Sequence, residues 1–167
     1  AGKVTIKWNS FVYFISNLKE HESYFLNEKL KKEYLKKDSL EYATTSRNES
    51  GEMIKTQFNF NNFRIYWYNL EFQPRGNIDD ILKVIKQESL SITIENINKM
   101  AIEYLNGVNW ICEYYFSGWR GLNLKWYYKY YRAPLFFDVY NVIATMVNDK
   151  NSNNFSQLEN WKAPQHN

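Results

Sequence analysis

The sequence has little of what most catalytic sites are built from. It contains one cysteine, Cys112, and two histidines, His21 and His166. A single cysteine excludes a disulfide framework within one chain and suits a reducing compartment. Neither histidine lies near a second cysteine or a carboxylate cluster, so a zinc site is not expected. Glycine-rich phosphate loops are also missing, and the sequence therefore predicts no catalytic site of its own.

The carboxylates are scattered along the chain as well. Asp79 and Asp80 are adjacent, and adjacent side chains on a helix point in different directions, so this pair favours a helix start over a metal clamp. A two-metal nuclease needs several acids converging on ions about 4 Å apart. No segment supplies such a group, so we expect neither metal ligands nor catalytic residues within the chain.

Long apolar runs are missing too. No stretch approaches the ~20 apolar residues that span a bilayer, and the start at Ala1-Gly2-Lys3 has neither a charged nor an apolar signal region. We therefore expect no signal peptide, no membrane partner and a chain that starts inside a longer gene product. The expected location is intracellular, in the cytoplasm or the nucleus. The net charge of +3 permits contact with nucleic acid but does not argue for it.

Apolar residues recur at helical spacing over most of the chain. These patterns predict helices over 5–37, 63–72, 79–86, 95–118 and 137–146, with an extended lead-in at 58–62 and a β-branched piece at 90–94. Residues 38–56 lose the pattern and are rich in Ser, Thr, Asn and Glu, so we expect an exposed, flexible loop there. The polar residues 148–167 are expected to form a disordered tail. The predicted fold is a mostly α domain over 1–147.

Aromatic residues are dense between Trp110 and Phe137. Twelve of these 28 positions are aromatic, and they are interleaved with four cations, Arg120, Lys125, Lys129 and Arg132. Such rings either fill a core or stack on unpaired bases while the cations hold phosphates. Core packing is favoured for most of them, Trp110 included. However, four tyrosines cannot all face inward: Tyr127, Tyr128, Tyr130 and Tyr131.

The segment Tyr104–Val139 resembles the second conserved region of the XRN family of 5′→3′ exoribonucleases. The family shows a helix Y-x-x-G-x-x-W-x-x-x-Y-Y-Y-x-G, then W-x-W-Y-Y-x-[YF]-H-Y-A-P and an Asp a few residues later. The matching residues are Tyr104, Gly107, Trp110, Tyr114, Tyr115, Gly118, Trp126, Tyr127, Tyr128, Tyr130, Ala133, Pro134 and Asp138. The chain departs from this pattern at Leu124, in place of the first Trp, and at Tyr131-Arg132, in place of His-Tyr. It therefore resembles a divergent member.

This resemblance implies a helical domain that packs against a separate α/β nuclease region not contained in this chain. The family's catalytic acids and Mg²⁺ lie in that N-terminal region. The implied role is part of a processive exoribonuclease acting on single-stranded RNA with a free 5′ phosphate, in which this domain shapes the substrate channel and stacks the 5′ nucleotides. Trp126 is the first candidate for the stacking ring and Tyr128 the second. The candidate phosphate contacts are Arg120, Lys125, Lys129 and Arg132.

Two other functions stay open. One is a non-catalytic RNA-binding or scaffold module related to this family, and the other is a helical protein-interaction domain whose exposed rings meet a partner protein. A cluster of Asp and Glu encoded upstream of Ala1 would distinguish the enzyme from the module. Binding of single-stranded RNA that weakens steeply with salt would distinguish the module from the protein-interaction domain.

Overall fold

The computed structural model describes residues 4–34, 39–40, 42–72, 94–118 and 120–163. Within these ranges the chain is mostly α-helical, as the sequence predicts. The elements are α1 (Trp8–Tyr34), β1 (Ser39–Leu40), β2 (Ala43–Arg47), β3 (Met53–Phe58), α2 (Phe60–Phe72), α3 (Ile94–Cys112), a π-helical turn (Glu113–Ser117), α4 (Phe136–Asn148) and α5 (Asn153–Glu159). No described helix combines the length and the apolar character needed to cross a membrane.

The chain divides into two compact units, a division that the sequence patterns do not predict. Unit 1 consists of Ala1–Lys19 and Glu95–Asn167, and unit 2 consists of Glu20–Ile94. The helix α1 contributes its first part to unit 1 and the remainder to unit 2. The family-like segment Tyr104–Val139 falls entirely within unit 1, and the site described below therefore belongs to that unit alone.

The core of unit 1 is built from one face of each of its helices. Its buried residues are Trp8, Ile15, Ala101, Leu105, Val139, Val142, Ile143, Met146, Phe155 and Leu158. The four from α4 have the i, i+3, i+4, i+7 spacing of a single helix face, which confirms the helix predicted over 137–146. Each fully buried side chain of this kind contributes about 1.5–3 kcal/mol by leaving water.

The long helix predicted over 5–37 is confirmed as α1. It begins at Trp8 and ends at Tyr34, and residues 35–37 lie outside the described residues. Two rings that the periodicity assigns to its apolar stripe, Phe14 and Phe25, are exposed instead. The periodicity therefore identified the helix correctly but overestimated the width of its packed face.

The strands β1, β2 and β3 form an antiparallel sheet of order β1-β2-β3, so the loop expected over 38–56 is wrong for these strands, while residues 38 and 41 lie outside the described residues. Strands β2 and β3 pair along their length with one irregularity. In the turn that joins them, Asn48 Oδ1 accepts a hydrogen bond from the backbone N–H of Glu52 at 2.8 Å, and Gly51 has a φ of 81°. The polar Thr and Ser residues of β2 give a local sequence pattern typical of a loop. A strand forms because its backbone pairs with another strand, which a local pattern does not reveal.

The helix predicted over 63–72 is confirmed as α2, and β3 is its extended lead-in. Asn59 lies just before this helix, and its Oδ1 accepts the N–H of Asn62 at 3.0 Å, the bond expected of a helix N-cap. Phe63 is buried and lies among four rings at centroid distances of 5.2 to 6.2 Å: Tyr42, Phe58, Tyr66 and Trp67. This separation suits favourable edge and offset contacts.

The strong helix predicted from Glu95 to Gly118 is confirmed as α3 and the π-helical turn that follows it. Gly118 then has a φ of 84°, in the left-handed region that favours glycine and ends a helix. The helix predicted over 79–86 lies outside the described residues, and so does the β-branched piece except for Ile94, which begins α3.

The disordered tail expected over 148–167 is wrong for Asn153–Glu159, which form α5, and residues 164–167 lie outside the described residues. Ser152 Oγ caps this helix by accepting the N–H of Phe155 at 3.2 Å. Phe155 and Leu158 are buried in the core of unit 1, and Asn109 Nδ2 of α3 donates to the carbonyl of Leu158 at 2.9 Å. Most residues around Phe155 and Leu158 are polar, so the average composition of the segment does not reveal the apolar face of the helix.

Candidate functional site

Between α3 and α4, residues 126–132 contain no helix or strand and bend at 130–132; we call them the extended segment. Burial alternates along it: Trp126, Tyr128, Tyr130 and Arg132 are partly buried, whereas Tyr127, Lys129 and Tyr131 are exposed. A period of two is the signature of an extended backbone with one face against a surface. Tyr127 is 74% exposed and Tyr131 is 90% exposed. The prediction that the four tyrosines do not all face inward is therefore confirmed.

Trp126 is partly buried among three neighbours. Its indole stacks on Trp110, with centroids 6.2 Å apart and planes inclined by 27°, and it meets Trp161 edge-on at 5.3 Å. A Cβ placed on Gly107 would lie 3.5 Å from Cη2 of the same ring, so the glycine allows the ring close to α3. Trp126 therefore presents only part of its surface to a ligand.

Trp161 is a functional candidate that the sequence analysis missed. It follows α5 in the segment expected to be disordered, and its ring contact with Trp126 depends on α5 being held on α3. A signal was available in the sequence, since Phe155, Leu158 and Trp161 recur every three residues behind the helix-capping Ser152.

Trp110 joins α3 to the loop that leads into this segment. Its Nε1 donates to the backbone carbonyl of Asn123 at 2.9 Å, and its ring stacks on Tyr114 at 5.4 Å with planes 12° apart. The N–H of Trp126 donates to the same carbonyl at 3.2 Å. The sequence predicts that Trp110 lies in the core, but its side chain is only partly buried. The ring fixes the loop instead of filling the interior.

Tyr128 has its hydroxyl and its ring engaged within unit 1. The hydroxyl donates to the backbone carbonyl of Arg132 at 2.7 Å, which closes a short turn of the segment. The ring meets Tyr104 of α3 edge-on at 6.2 Å. The structure therefore brings Tyr128 and Arg132 together, as two of the six predicted contact residues.

The predicted cations differ in how they are placed. Arg120, Lys125 and Lys129 are exposed, and Arg132 is partly buried. The Lys129 ammonium lies 5.7 Å from the centroid of the Tyr130 ring, within the range of a cation–π contact. Lys125 and Lys129 alternate in sequence with the exposed rings of Tyr127 and Tyr131, and such a combination can hold a single-stranded polyanion without reading its sequence.

An open cleft of about 300 Å³ separates α3 from the extended segment. Its lining residues are Tyr104, Gly107, Val108, Ile111, Tyr128, Tyr130, Tyr131, Arg132 and Ala133. The lining is dominated by rings and aliphatic groups, includes one permanent cation and contains no carboxylate. Its shape and polarity suit a flat, apolar group that carries a negative charge nearby.

Metal binding finds no support within the described part of the chain. There, no three His, Cys, Asp or Glu side chains come together in a way that could hold an ion. The described residues therefore do not fit a magnesium site, and no chemical step through a metal can be derived from them.

The comparisons with known proteins agree with the position of this site. Residues 82–163 match a family model described as the Xrn1 helical domain, a range that includes α3, the extended segment, α4 and α5. No curated protein and no solved structure matches the chain. The matched range also takes in Trp161, which supports treating α5 and its ring contact as part of the domain.

Proposed function

We propose that the chain is part of a processive 5′→3′ exoribonuclease, because residues 82–163 match the family model described as the Xrn1 helical domain. Its substrate is single-stranded RNA with a free 5′ phosphate. In this proposal the domain shapes the substrate channel and stacks the 5′ nucleotides, while the N-terminal nuclease region of the same protein performs the hydrolysis. The observation that carries the proposal is the family match across the aromatic segment.

The chemistry of the segment supports this role. Exposed rings at Tyr127 and Tyr131 alternate with exposed cations at Lys125 and Lys129. Each base that stacks on an aromatic ring contributes about 1–3 kcal/mol, largely independent of sequence. Such contacts suit an enzyme that must move along any RNA, since they hold the strand without a preferred register.

Magnesium enters the proposal only through the family. By resemblance to the family, the ion would be held by the acids of the nuclease region, outside this chain. The intracellular location, in the cytoplasm or the nucleus, is likewise part of the proposal, and the single cysteine is compatible with a reducing compartment.

The test is degradation of 5′-monophosphorylated single-stranded RNA by the complete protein that the proposal requires. We expect 5′-hydroxyl RNA to resist, and Trp126→Ala to slow processive degradation by about 5- to 150-fold, the equivalent of one lost stack. Because Trp126 is packed, the folded fraction of the variant is measured in parallel by circular dichroism. Tyr13→Ala, which removes an exposed ring of α1, is the control. Wild-type rates for a folded Trp126→Ala protein would show that this ring does not hold the substrate.

The second candidate is a non-catalytic RNA-binding or scaffold module of the same family. It uses the same exposed rings and cations as the RNA contact and requires no nuclease region. The coding sequence upstream of Ala1 decides between the two: a group of Asp and Glu codons supports the enzyme, and its absence leaves the module. In the second case RNA binding without degradation is the expected activity.

A further inference from the structure

The cleft between α3 and the extended segment combines two properties. Val108 and Ile111 of α3 form part of an aliphatic wall, and tyrosines from both elements add flat rings. Its volume of about 300 Å³ lies at the lower end of the range for small-molecule sites. A single planar ring system therefore fits it better than a larger ligand.

The exposed ring at this cleft is Tyr131. It is 90% exposed and lines the cleft, so its face is accessible to a ligand. Trp126 contrasts with it, because Trp110, Trp161 and α3 already cover much of that indole. For a ligand that arrives from solvent, Tyr131 offers more uncovered ring surface.

The charges around the cleft select for an anionic ligand. Arg132 is part of the lining, and Lys129 lies beside it in the sequence with its ammonium over the Tyr130 ring. None of the described residues that line it is acidic. A planar ring attached to a phosphate therefore matches both the rings and the positive charge of the lining.

We propose that this cleft takes one unstacked nucleobase of a single-stranded RNA, with Tyr131 as the stacking ring and Arg132 beside the adjoining phosphate. The inference rests on the proposed function, since it names where the RNA is held. The inference goes beyond the proposed function because it assigns the stacking of a base to Tyr131, a position at which the chain departs from the family pattern.

The test measures binding of a fluorescein-labelled hexa-adenylate to the 167-residue chain by fluorescence anisotropy. Tyr131→Ala should weaken binding about tenfold, the effect of one lost base–ring stack. Tyr131→Phe keeps the ring and should stay within about twofold of wild type. Tyr13→Ala is the matched control, because Tyr13 of α1 is 73% exposed but does not line the cleft.

A second variant tests the opposite wall of the cleft. Ile111 is 52% exposed, so Ile111→Glu should fold while placing a carboxylate in the cleft. We expect binding to fall about tenfold, with the loss larger at about 50 mM than at 200 mM salt because salt screens the repulsion. Circular dichroism and thermal melting of each variant verify that its fold is retained.

The outcomes separate this inference from the proposed function. Equal losses for Tyr131→Ala and Tyr13→Ala would mean diffuse stacking on the surface and would overturn the cleft assignment. If Trp126→Ala weakens binding while Tyr131→Ala and Ile111→Glu do not, the cleft does not bind the RNA, and the assignment of the cleft is wrong. The RNA contact of the proposed function is supported in that case. If the wild-type chain binds no oligonucleotide even at low salt, the proposed RNA contact itself fails, and the cleft assignment with it.

Discussion

The indole of Trp161 meets the indole of Trp126 edge-on, with centroids 5.3 Å apart and planes inclined by 76°. One ring follows the last described helix, and the other lies in the segment that carries the family motif. The contact depends on α5 being held on α3 through the hydrogen bond from Asn109 to the carbonyl of Leu158. The helix α5 therefore helps to position Trp126 through Trp161. Under the proposed function, RNA binding by Trp126 depends on this support.

The coupling between these two indoles is measurable. We expect a double-mutant cycle of Trp126→Ala and Trp161→Ala, followed by urea unfolding, to give an interaction free energy of about 0.5–1.5 kcal/mol, as for other edge-to-face pairs. Gln157 is exposed on the same helix and serves as the control, since Trp126→Ala and Gln157→Ala should be additive within about 0.5 kcal/mol. Additive behaviour of the two tryptophans would show that the rings do not support each other.

Gly107 should accept alanine with a gain in stability. A Cβ there would lie 3.5 Å from Trp126 Cη2, an ordinary contact distance, and alanine is favoured over glycine inside a helix by about 0.5–1 kcal/mol. Gly121→Ala is the control, because Gly121 has a φ of 84° and a side chain in that region costs roughly 1–2 kcal/mol. Urea midpoints should shift in opposite directions. A loss of stability for Gly107→Ala would place the indole closer to α3 than the structure does.

Phe155 tests whether the C-terminal segment is ordered. It is buried in the core of unit 1, so Phe155→Ala should lower the free energy of unfolding by about 3–5 kcal/mol. Its neighbour Asn154 is exposed on the same helix, and Asn154→Ala should change it by no more than about 0.5 kcal/mol. Scanning calorimetry measures both. A disordered tail would make the two substitutions indistinguishable.

Cys112 should react slowly with alkylating reagents in the folded protein. Partial burial raises the pKa of its thiol above the ordinary value, and the thiolate is the reactive form. Alkylation by iodoacetamide should therefore require a higher pH in the native chain than in the urea-unfolded chain. The stability linked to this thiol is present below the ordinary pKa and is lost as the pH rises through the raised pKa. Native reactivity at lower pH than in the unfolded chain would contradict the burial.

For the candidate site, the sequence pointed to the right segment but not to the role of each residue in it. The sequence alone shows the density of rings and cations around Trp126. It also predicts that some of the tyrosines face solvent. Which ones do so depends on the register of an extended chain against α3. That register exposes Tyr127 and Tyr131 and leaves Trp126 partly covered. Trp161 was missed because its contact lies 35 positions away in the sequence, by the difference of the two residue numbers.

By itself, the sequence determined the helices α1 to α4 and the family of the segment around Trp126, because helical periodicity and linear motifs are local properties of the chain. Only the tertiary structure decided that β1, β2 and β3 pair as a sheet, that α5 completes the core of unit 1, and that Tyr131 is the most exposed ring at the cleft. Strand pairing and burial are set by partners distant in sequence. A polar segment such as 148–167 gains order from a few apolar contacts that its average composition conceals.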